Sequence, residues 1–398
     1  MKVLFITNIP SPYRVAFFNE LGKMCDLTVT YEARNATDRD KNWHGECEIS
    51  YKAIFLKGIR VKTDSAFCPG IIDVLSRKWD WIIVGVYSSV SSMIAIRWMK
   101  RKQIPFLIEA DGGMIKKDNV LTRYIKTSLI SSAKWWLSSG KQTSDYLSYY
   151  GASEDRIYVF PFSSIRDTER TICFKEDDHV VELHSVNSIE EQKKYFKWRT
   201  EIRELKKREL GVTNKKVILY VGQYIFRKGI DVLLRALARL KPEDETTVFI
   251  VGGTPTKEYI ELASSCKEVE VCFQPFEEKN HLLKYFYAAD LFVLPTREDI
   301  WGLVVIEAMA HGVPVITTDR CVAGLEVIEE GVDGVIFPNE DVGKLTGLIE
   351  EYLFKKDFAA LSEAAYNKSA LYTIENMAKR HIEIFESLNK ERQRGSRK

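Results

Sequence analysis

Short, almost wholly apolar runs alternate with amphipathic stretches along most of the chain. A continuous apolar run is typical of a parallel strand buried on both faces, whereas apolar residues three or four positions apart predict a helix. The runs that fit the strand pattern lie at residues 2–7, 27–30, 81–85, 105–109, 135–138, 157–160, 216–222, 247–253, 269–273, 290–294, 315–317 and 334–338. Because these runs alternate with helical patterns, we predict an α/β protein with two doubly wound parallel sheets.

The length of the chain supports a division into two domains. A chain of 398 residues exceeds the size at which a single hydrophobic core keeps growing. The first alternation of strands and helices ends near Ile165, and the second begins after a charged segment. The expected limits are 1–165 for the first domain, 166–210 for a charged connection with a solvated lead-in helix, 211–372 for the second domain, and 373–398 for a final helix with a disordered basic tail.

One stretch of the second half combines a strand, an acidic loop and a short helix. The run 290–294 closes at Pro295, a polar loop follows, and a helical pattern covers 303–310. Asp299 lies in the loop and Glu307 on the helix, with seven residues between them. Units of this kind place ligands at the carboxyl ends of strands and the N-termini of helices.

A second loop with charged residues follows the run 216–222. Gly222 is expected to let the chain turn tightly after the strand, and Arg227 and Lys228 place two cations at the strand's carboxyl end. Such cations suit a diphosphate. By itself, however, a basic pair at the start of a helix is commonly only a solvated face.

Taken together, the two loops resemble the retaining, nucleotide-sugar-dependent glycosyltransferases of the GT-B fold, in the family-four group. The acidic residues at 299 and 307, followed by Ala-Met-Ala, match that family's signature, and Lys228-Gly229 matches its basic loop. The sequence departs from the family at Asp299, where Glu is usual, and at Gln223, where Arg is usual. We expect Arg227 to supply the missing charge.

The resemblance implies two Rossmann-like domains that face a cleft, with the final helix returning to the first domain. It implies transfer of a hexosyl group from a nucleotide sugar to a carbohydrate acceptor, plausibly lipid-linked, in polysaccharide or glycoconjugate assembly. No metal and no other cofactor are expected. Glu307 would hold the ribose, Asp299 the donor sugar, and Arg227 with Lys228 the diphosphate. The expected donor-binding residues are Gly222, Gln223, Glu298, Trp301, Gly302 and Leu303.

Acceptor-side candidates come from the first half of the chain. Tyr13 and Arg14 follow the first strand, where other family members have a Gly-rich acceptor loop, and are expected to face the cleft. Glu109 and Asp111 end another strand, where many relatives carry a His. A loop acid that merely caps the next helix explains either carboxylate equally well.

Charge is distributed unevenly along the chain. Residues 1–165 hold 23 Lys and Arg against 16 Asp and Glu, and the remainder holds 35 against 40. In the first half, 97–102 and 116–136 interleave cations with aromatic residues, which suits an anionic membrane surface. An ordinary solvated face remains the alternative, and no nucleic-acid-binding motif accompanies the charges. With no signal peptide or long apolar run, a cytoplasmic protein is expected, peripheral on the inner face of the membrane at most.

Other chemistries receive weaker support from the sequence. Asp38 and Asp40 match the Asp-x-Asp motif of metal-dependent glycosyltransferases, but no apolar strand precedes them in the sequence. The seven cysteines show no metal-binding spacing and are expected to be reduced thiols. A nucleotide-sugar epimerase of the same fold is an alternative function. A catalytically silent sugar-nucleotide-binding partner is another, motivated by Asp299 and Gln223.

Overall fold

The computed structural model describes residues 1–34, 49–63, 65–176 and 179–395. The chain divides into two compact units, one formed by Met1–Ser164 with Thr373–Lys398 and the other by Ile165–Tyr372. The predicted end of the first domain at Ile165 differs from the observed one by a single residue. Segment 166–210, expected to be a connection between domains, lies inside the second unit.

The first unit is built on a parallel sheet with the order β3-β2-β1-β6-β7-β8-β9. Its strands are β1 (Lys2–Thr7), β2 (Asp26–Tyr31), β3 (Lys52–Phe55), β6 (Trp81–Val84), β7 (Leu107–Ala110), β8 (Trp135–Ser138) and β9 (Ile157–Val159). A small antiparallel hairpin, β4 (Ile59–Lys62) with β5 (Ser65–Phe67), lies between β3 and β6 in the chain. Because β1 pairs with both β2 and β6, the strand order reverses between β1 and β6.

Helices connect these strands and complete the first unit. They are α1 (Pro12–Gly22), α2 (Ile71–Leu75), α3 (Val90–Arg101), α4 (Val120–Ile130), α5 (Lys141–Tyr149) and the final helix α15 (Ile374–Gly395). The structure corrects the prediction of a disordered tail from Lys390, because α15 runs on to Gly395. The Arg392 guanidinium lies 3.7 Å from the Trp81 ring centroid, a cation–π contact that anchors the last turns.

The second unit repeats the architecture with a six-stranded parallel sheet in the order β14-β13-β12-β15-β16-β17. Its strands are β12 (Lys216–Val221), β13 (Thr246–Val251), β14 (Val269–Gln274), β15 (Leu291–Leu294), β16 (Val315–Thr318) and β17 (Gly334–Phe337). An antiparallel hairpin, β10 (Ile172–Glu176) with β11 (His179–Leu183), precedes this sheet. Nearly every residue of β12, β13, β15 and β16 is buried, which accounts for their continuous apolar sequences.

The helices of the second unit cover its sheet. They are α6 (Asp167–Arg170), α7 (Ile189–Glu209), α8 (Ile230–Leu237), α9 (Lys257–Ser264), α10 (Lys279–Ala288), α11 (Leu303–Ala310), α12 (Val322–Val327), α13 (Val342–Glu350) and α14 (Phe358–Ser369). α7 lies within 166–210, where a solvated lead-in helix was expected, but this helix is not merely solvated. Tyr195 and Arg199 are buried, and Arg199 donates to the carbonyl oxygens of Tyr287 and Ala289.

Ala323 and Gly324 lie in the short helix α12. A Cβ at Gly324 would lie 2.4 Å from Thr317 Cγ2, so glycine is needed there for close packing of α12 on β16. Among the residues described, no helix is both long enough and apolar enough to cross a membrane.

Candidate functional site

The sheet of the second unit brings the two predicted loops together. β12 pairs with β15, although β13 and β14 lie between them in sequence, so the strand order reverses at this pair. Ligands of open α/β sheets bind outside the carboxyl ends of the strands at such a reversal. The loop after β12 and the loop after β15 therefore leave the sheet side by side.

Backbone contacts lock these two loops to each other. Arg297 donates its backbone N–H to the Arg227 carbonyl at 2.8 Å, and the Thr296 hydroxyl donates to the same oxygen at 3.0 Å. Gly229 has a φ of 71°, and a Cβ there would lie 1.9 Å from the Pro295 carbonyl oxygen. The residue of this loop that requires glycine is thus Gly229, whereas Gly222 was expected to make the turn.

Three charged side chains meet at the junction of the loops, and we call Arg227, Lys228 and Asp299 the switch-point cluster. The Lys228 ammonium donates to Asp299 Oδ2. Arg227 Nη1 donates to the Glu298 carbonyl oxygen at 2.5 Å and lies 4.0 Å from Asp299 Oδ1. The Arg227 side chain is 41% exposed, and those of Lys228 and Asp299 are 13% exposed, so water reaches the cluster.

Asp299 is held in place by its own backbone. Its N–H donates to the Arg320 carbonyl at 2.8 Å, and its carbonyl accepts from the Val322 N–H at 3.2 Å. Gly302 then caps α11 with a φ of 99°, where a Cβ would lie 2.7 Å from Cys321 Sγ. α11 begins at Leu303, four residues after Asp299, and the N-terminus of this helix favours a negatively charged ligand.

The other predicted donor residues occupy different surroundings. Glu307 and Leu303 lie on α11 and are half-buried, and Gln223 is exposed in the loop after β12. Trp301 is buried, and its carbonyl accepts from the Ala323 N–H at 2.7 Å, so it packs the loop against α12. The Glu298 contact described above uses its backbone carbonyl.

His311, at the end of α11, was not among the predicted site residues. Burial lowers the pKa of His311 to about 4, so the ring is neutral at physiological pH. Its Nδ1 lies 2.7 Å from the Glu307 carbonyl oxygen, which can only accept, and therefore carries the proton. This hydrogen bond closes the last turn of the helix that carries Glu307.

Arg297 is a further residue of this site that the sequence interpretation missed. Its guanidinium donates to both carboxylate oxygens of Asp231 at 2.7 and 2.8 Å, and to the Phe226 carbonyl at 2.7 Å. It also lies 3.8 Å from the Phe226 ring centroid. The hydrogen bonds to Asp231 raise the pKa of Arg297. These contacts fix the turn that carries Arg227 and Lys228. The position of Arg297 in the acidic loop, two residues before Asp299, is the sequence feature that could have indicated its role.

The first unit contains a second group of charges, and we call Arg14, Glu109, Asp111 and His381 the buried cluster. Arg14 Nη1 donates to Glu109 Oε1 at 2.5 Å, and Nη2 donates to Asp111 Oδ1. His381 Nε2, from α15, lies 2.9 Å from Glu109 Oε2. Arg14 was expected to face a cleft, but it is buried because two carboxylates of its own unit neutralise it.

Electrostatics within the buried cluster follow from burial and pairing. Burial opposes the charge of Glu109, but Arg14 and His381 together hold its pKa below the ordinary value. Burial raises the pKa of Asp111 to about 6; Arg14 opposes this rise and the Glu109 charge adds to it. Tyr13, the remaining acceptor-side candidate, packs edge-on against Phe162 with ring centroids 5.7 Å apart.

Metal-ligating side chains do not cluster in the described part of the chain. No group of three or more His, Cys, Asp or Glu side chains there is arranged to hold a metal ion. Asp38 and Asp40, the Asp-x-Asp pair, lie outside the described residues.

Comparisons with known proteins agree with this architecture. Residues 201–368 match the family model described as glycosyl transferases group 1. The chain is 33% identical over 172 residues to a D-inositol 3-phosphate glycosyltransferase of Mycolicibacterium smegmatis, covering 40% of this chain and 38% of that protein. It is 28% identical over 189 residues to an uncharacterised glycosyltransferase of Methanocaldococcus jannaschii, covering 45% and 47%. The matches thus span less than half the length of these curated relatives.

A solved structure extends the likeness to both units. Anabaena HepE in complex with UDP and glucose superposes with a TM-score of 0.68 at 16% sequence identity, covering 97% of this chain and 100% of that chain. The two sheets with their flanking helices therefore define the GT-B fold. Within it, residues 201–368 are the part that matches the glycosyl transferases group 1 model.

Proposed function

We propose that the protein is a retaining glycosyltransferase that moves a sugar from a nucleotide-diphosphate donor to a carbohydrate acceptor. The observation that carries this proposal is the switch-point cluster: two cations and a carboxylate at the strand reversal of a group 1 domain, beside the N-terminus of α11. HepE, which shares the fold, binds UDP in its solved structure, and this supports a nucleotide sugar as donor.

The residues of the switch-point cluster suit the two halves of such a donor. When the anomeric C–O bond breaks, its electron pair moves to the departing diphosphate oxygen, and Arg227 with Lys228 can neutralise that charge without rearrangement. Their present partners are Asp299 and a backbone carbonyl, which a diphosphate can replace. Asp299 and Glu307 accept hydrogen bonds from hydroxyl groups and suit the sugar and the ribose.

The acceptor is assigned to the first unit. Asp111 is the one member of the buried cluster with an appreciable exposed fraction, 27% of its side chain. A carboxylate with a pKa of about 6 can accept a hydrogen bond or a proton from an acceptor hydroxyl near neutral pH. Arg14 and Glu109 lie behind it and support its position.

A screen of nucleotides tests the donor assignment. UDP, GDP, ADP, dTDP and CMP are added to the full-length protein, and thermal unfolding is followed. A nucleotide at 100 times its Kd should stabilise the fold by about 2.7 kcal/mol. Stabilisation by none of the five would overturn the proposal.

Transfer assays with the matching nucleotide sugars then separate the functions. A retained anomeric configuration in a glycoside product supports the proposal, epimerised donor supports the epimerase, and binding without turnover supports the silent partner. Excess chelator should leave the transfer rate unchanged, because Arg227 and Lys228 can supply the positive charge that a metal ion would otherwise provide. Loss of the rate with recovery in Mn²⁺ would contradict metal independence.

We also propose that the first unit binds anionic membranes, which favours a lipid-linked acceptor and a peripheral location. Large apolar side chains at the start of α4 are exposed: Ile115 by 50%, Val120 by 87%, Leu121 by 68% and Tyr124 by 71%. Exposed cations flank them, namely Lys116, Lys117 and Arg123. Lys126, also predicted to contribute, is paired with Asp118 at 2.9 Å, and Trp135 and Trp136 are buried.

Liposome co-sedimentation tests this surface. Wild-type protein should bind vesicles that contain acidic lipid more strongly than neutral ones, since each cation near such a surface contributes about 1 kcal/mol. Changing Lys116, Lys117 and Arg123 to Ser should abolish the preference. The matched control changes three exposed cations of the second unit, Lys241, Lys257 and Lys267, to Ser. Equal loss of the preference for acidic lipid in both variants would show that net charge alone explains the binding.

A further inference from the structure

The buried cluster joins three distant parts of the chain. Arg14 belongs to α1, Glu109 to β7 and His381 to α15, and Asp111 follows β7. Glu109 uses both carboxylate oxygens, Oε1 for Arg14 at 2.5 Å and Oε2 for His381 at 2.9 Å. Arg14 in turn uses its second nitrogen for Asp111. A continuous chain of hydrogen bonds therefore runs from His381 to Asp111.

Aromatic rings enclose most of this chain. The His381 ring lies 4.8 Å from the Phe17 centroid and 4.7 Å from the Phe160 centroid. The Arg14 guanidinium lies 5.4 Å from the Phe5 centroid and 5.6 Å from that of Phe162. In such apolar surroundings an ion pair is poorly screened, so each member strongly constrains its neighbour.

Hydrogen-bond roles are determined by what each atom can do. His381 Nδ1 lies 2.7 Å from the Met377 carbonyl oxygen, which only accepts, so Nδ1 carries a proton. One further proton is then shared between His381 Nε2 and Glu109 Oε2. The cluster thus contains two basic side chains and two carboxyl groups.

Stability alone does not explain why four ionisable side chains meet in the buried cluster. Replacing a buried ion pair with apolar residues of similar volume is often neutral or stabilising. The charges instead fix the orientation of one carboxylate. The side chain of Asp111 is 27% exposed, whereas that of Glu109 is 0% exposed, and the hydrogen bond from Arg14 determines where the Asp111 carboxylate points.

We propose that His381 and Glu109 are positioning residues that act through Arg14 to orient Asp111 toward a sugar hydroxyl of the acceptor. This inference rests on the proposed function for the identity of the substrate. It makes α15, which follows the entire second unit in the chain, a part of the acceptor site.

Titration of Asp111 tests the coupling without any activity assay. The full-length protein is labelled with ¹³C at the aspartate carboxyl carbons, and the Asp111 signal is assigned by its loss in Asp111→Asn. Arg14 from α1, Glu109 from β7 and His381 from α15 are the charged groups that act on this carboxylate. His381→Met removes the hydrogen bond to Glu109, so Glu109 should draw Arg14 away from Asp111 and raise the Asp111 midpoint by about half a pH unit or more.

Two further variants separate positioning from packing. His381→Gln keeps a donor for Glu109 and should leave the midpoint near that of the wild type. Leu388→Ala removes a buried apolar side chain elsewhere on α15, so it should lower Tm without moving the midpoint. An unchanged midpoint in His381→Met, or an equal shift in Leu388→Ala, would overturn the proposal.

A kinetic measurement links the coupling to the site. With UDP-glucose as donor and a panel of nitrophenyl glycosides as acceptors, His381→Met should lower kcat/KM for the acceptor by about 100-fold, since a misplacement of about 1 Å costs that much. The affinity for UDP should stay within about twofold, because its candidate residues belong to the second unit. Unaltered acceptor kinetics would overturn the positioning role. No transfer by the wild type under any of these conditions would count against the proposed function, while the titration still decides the coupling.

Discussion

The switch-point cluster of the second unit and the buried cluster of the first unit both join arginine to carboxylates, but they differ in how far water reaches them. Arg227 is 41% exposed, whereas Arg14 is 4% exposed, and its partner Glu109 is fully buried. Water and an incoming anion can replace the partners of Arg227 at little cost. Arg14 cannot exchange partners without leaving a charge alone in an apolar interior. We therefore expect the same residue types to bind a ligand in one unit and to fix a geometry in the other.

The largest expected effect comes from breaking the buried cluster. Arg14→Met leaves Glu109 without its main partner and should destabilise the first unit by about 3–5 kcal/mol, measured by urea unfolding. Arg227→Met, the matched change in the switch-point cluster, should cost about 1 kcal/mol or less. Similar losses in the two variants would remove the distinction between the clusters.

Activity should respond in the opposite order. Lys228→Ala and Arg227→Ala each remove a cation from the departing diphosphate and should raise the barrier to transfer by about 2.7–4 kcal/mol. The measurement is kcat for the nucleotide sugar selected by the thermal screen, with circular dichroism to show that the fold is intact. Wild-type turnover in both variants would contradict the assignment of the diphosphate.

Stability as a function of pH provides a third comparison. Because burial raises the pKa of Asp111 to about 6, the folded state holds its proton more tightly than the unfolded chain. The carboxyl group therefore favours the folded state below pH 4, and this contribution is lost as the pH rises toward 6. Relative to Asp111→Asn, the wild type should lose about 2 kcal/mol between pH 4 and 7, measured by urea unfolding. Parallel pH profiles of the two proteins would refute the effect.

Salt should produce the smallest difference. Raising ionic strength from 0.1 to 1 M shortens the Debye length from about 10 to 3 Å, which weakens nucleotide binding at the exposed Arg227. The buried pairs are screened much less, so the difference in unfolding free energy between wild type and Arg14→Met should stay nearly constant. Titration of UDP and urea unfolding at the two salt concentrations measure both quantities. A salt-independent UDP affinity would argue against the role of Arg227.

The sequence predicted the parts of the fold that depend on local pattern. Apolar runs identified most strands of the two large sheets because central parallel strands are buried on both faces. β3 was missed because it is an edge strand with exposed and half-buried positions, and the hairpins β4–β5 and β10–β11 lie outside the alternation.

The residues of the candidate site were likewise predictable only where the sequence carries a local signal. Arg227, Lys228 and Asp299 were recognisable because each lies in a loop directly after a strand, and the pairing of β12 with β15 brings those loops together. Pairing across long separations leaves no local signal: Arg14 meets Glu109 across 95 residues, and His381 meets it across 272. Whether an arginine lies in solvent or between two carboxylates depends on such contacts.

The discontinuity of the first unit has a consequence for how the protein is made. Its residues 1–164 leave the ribosome before the 208 residues of the second unit, and α15 comes last. At about 5–20 residues per second, roughly 10–40 s pass between the emergence of the first sheet and that of His381. During this interval Glu109 can pair with Arg14 but not with His381. The first unit is therefore completed only after the second unit has been synthesised, and a nascent chain that stops before α15 lacks the His381 member of the buried cluster.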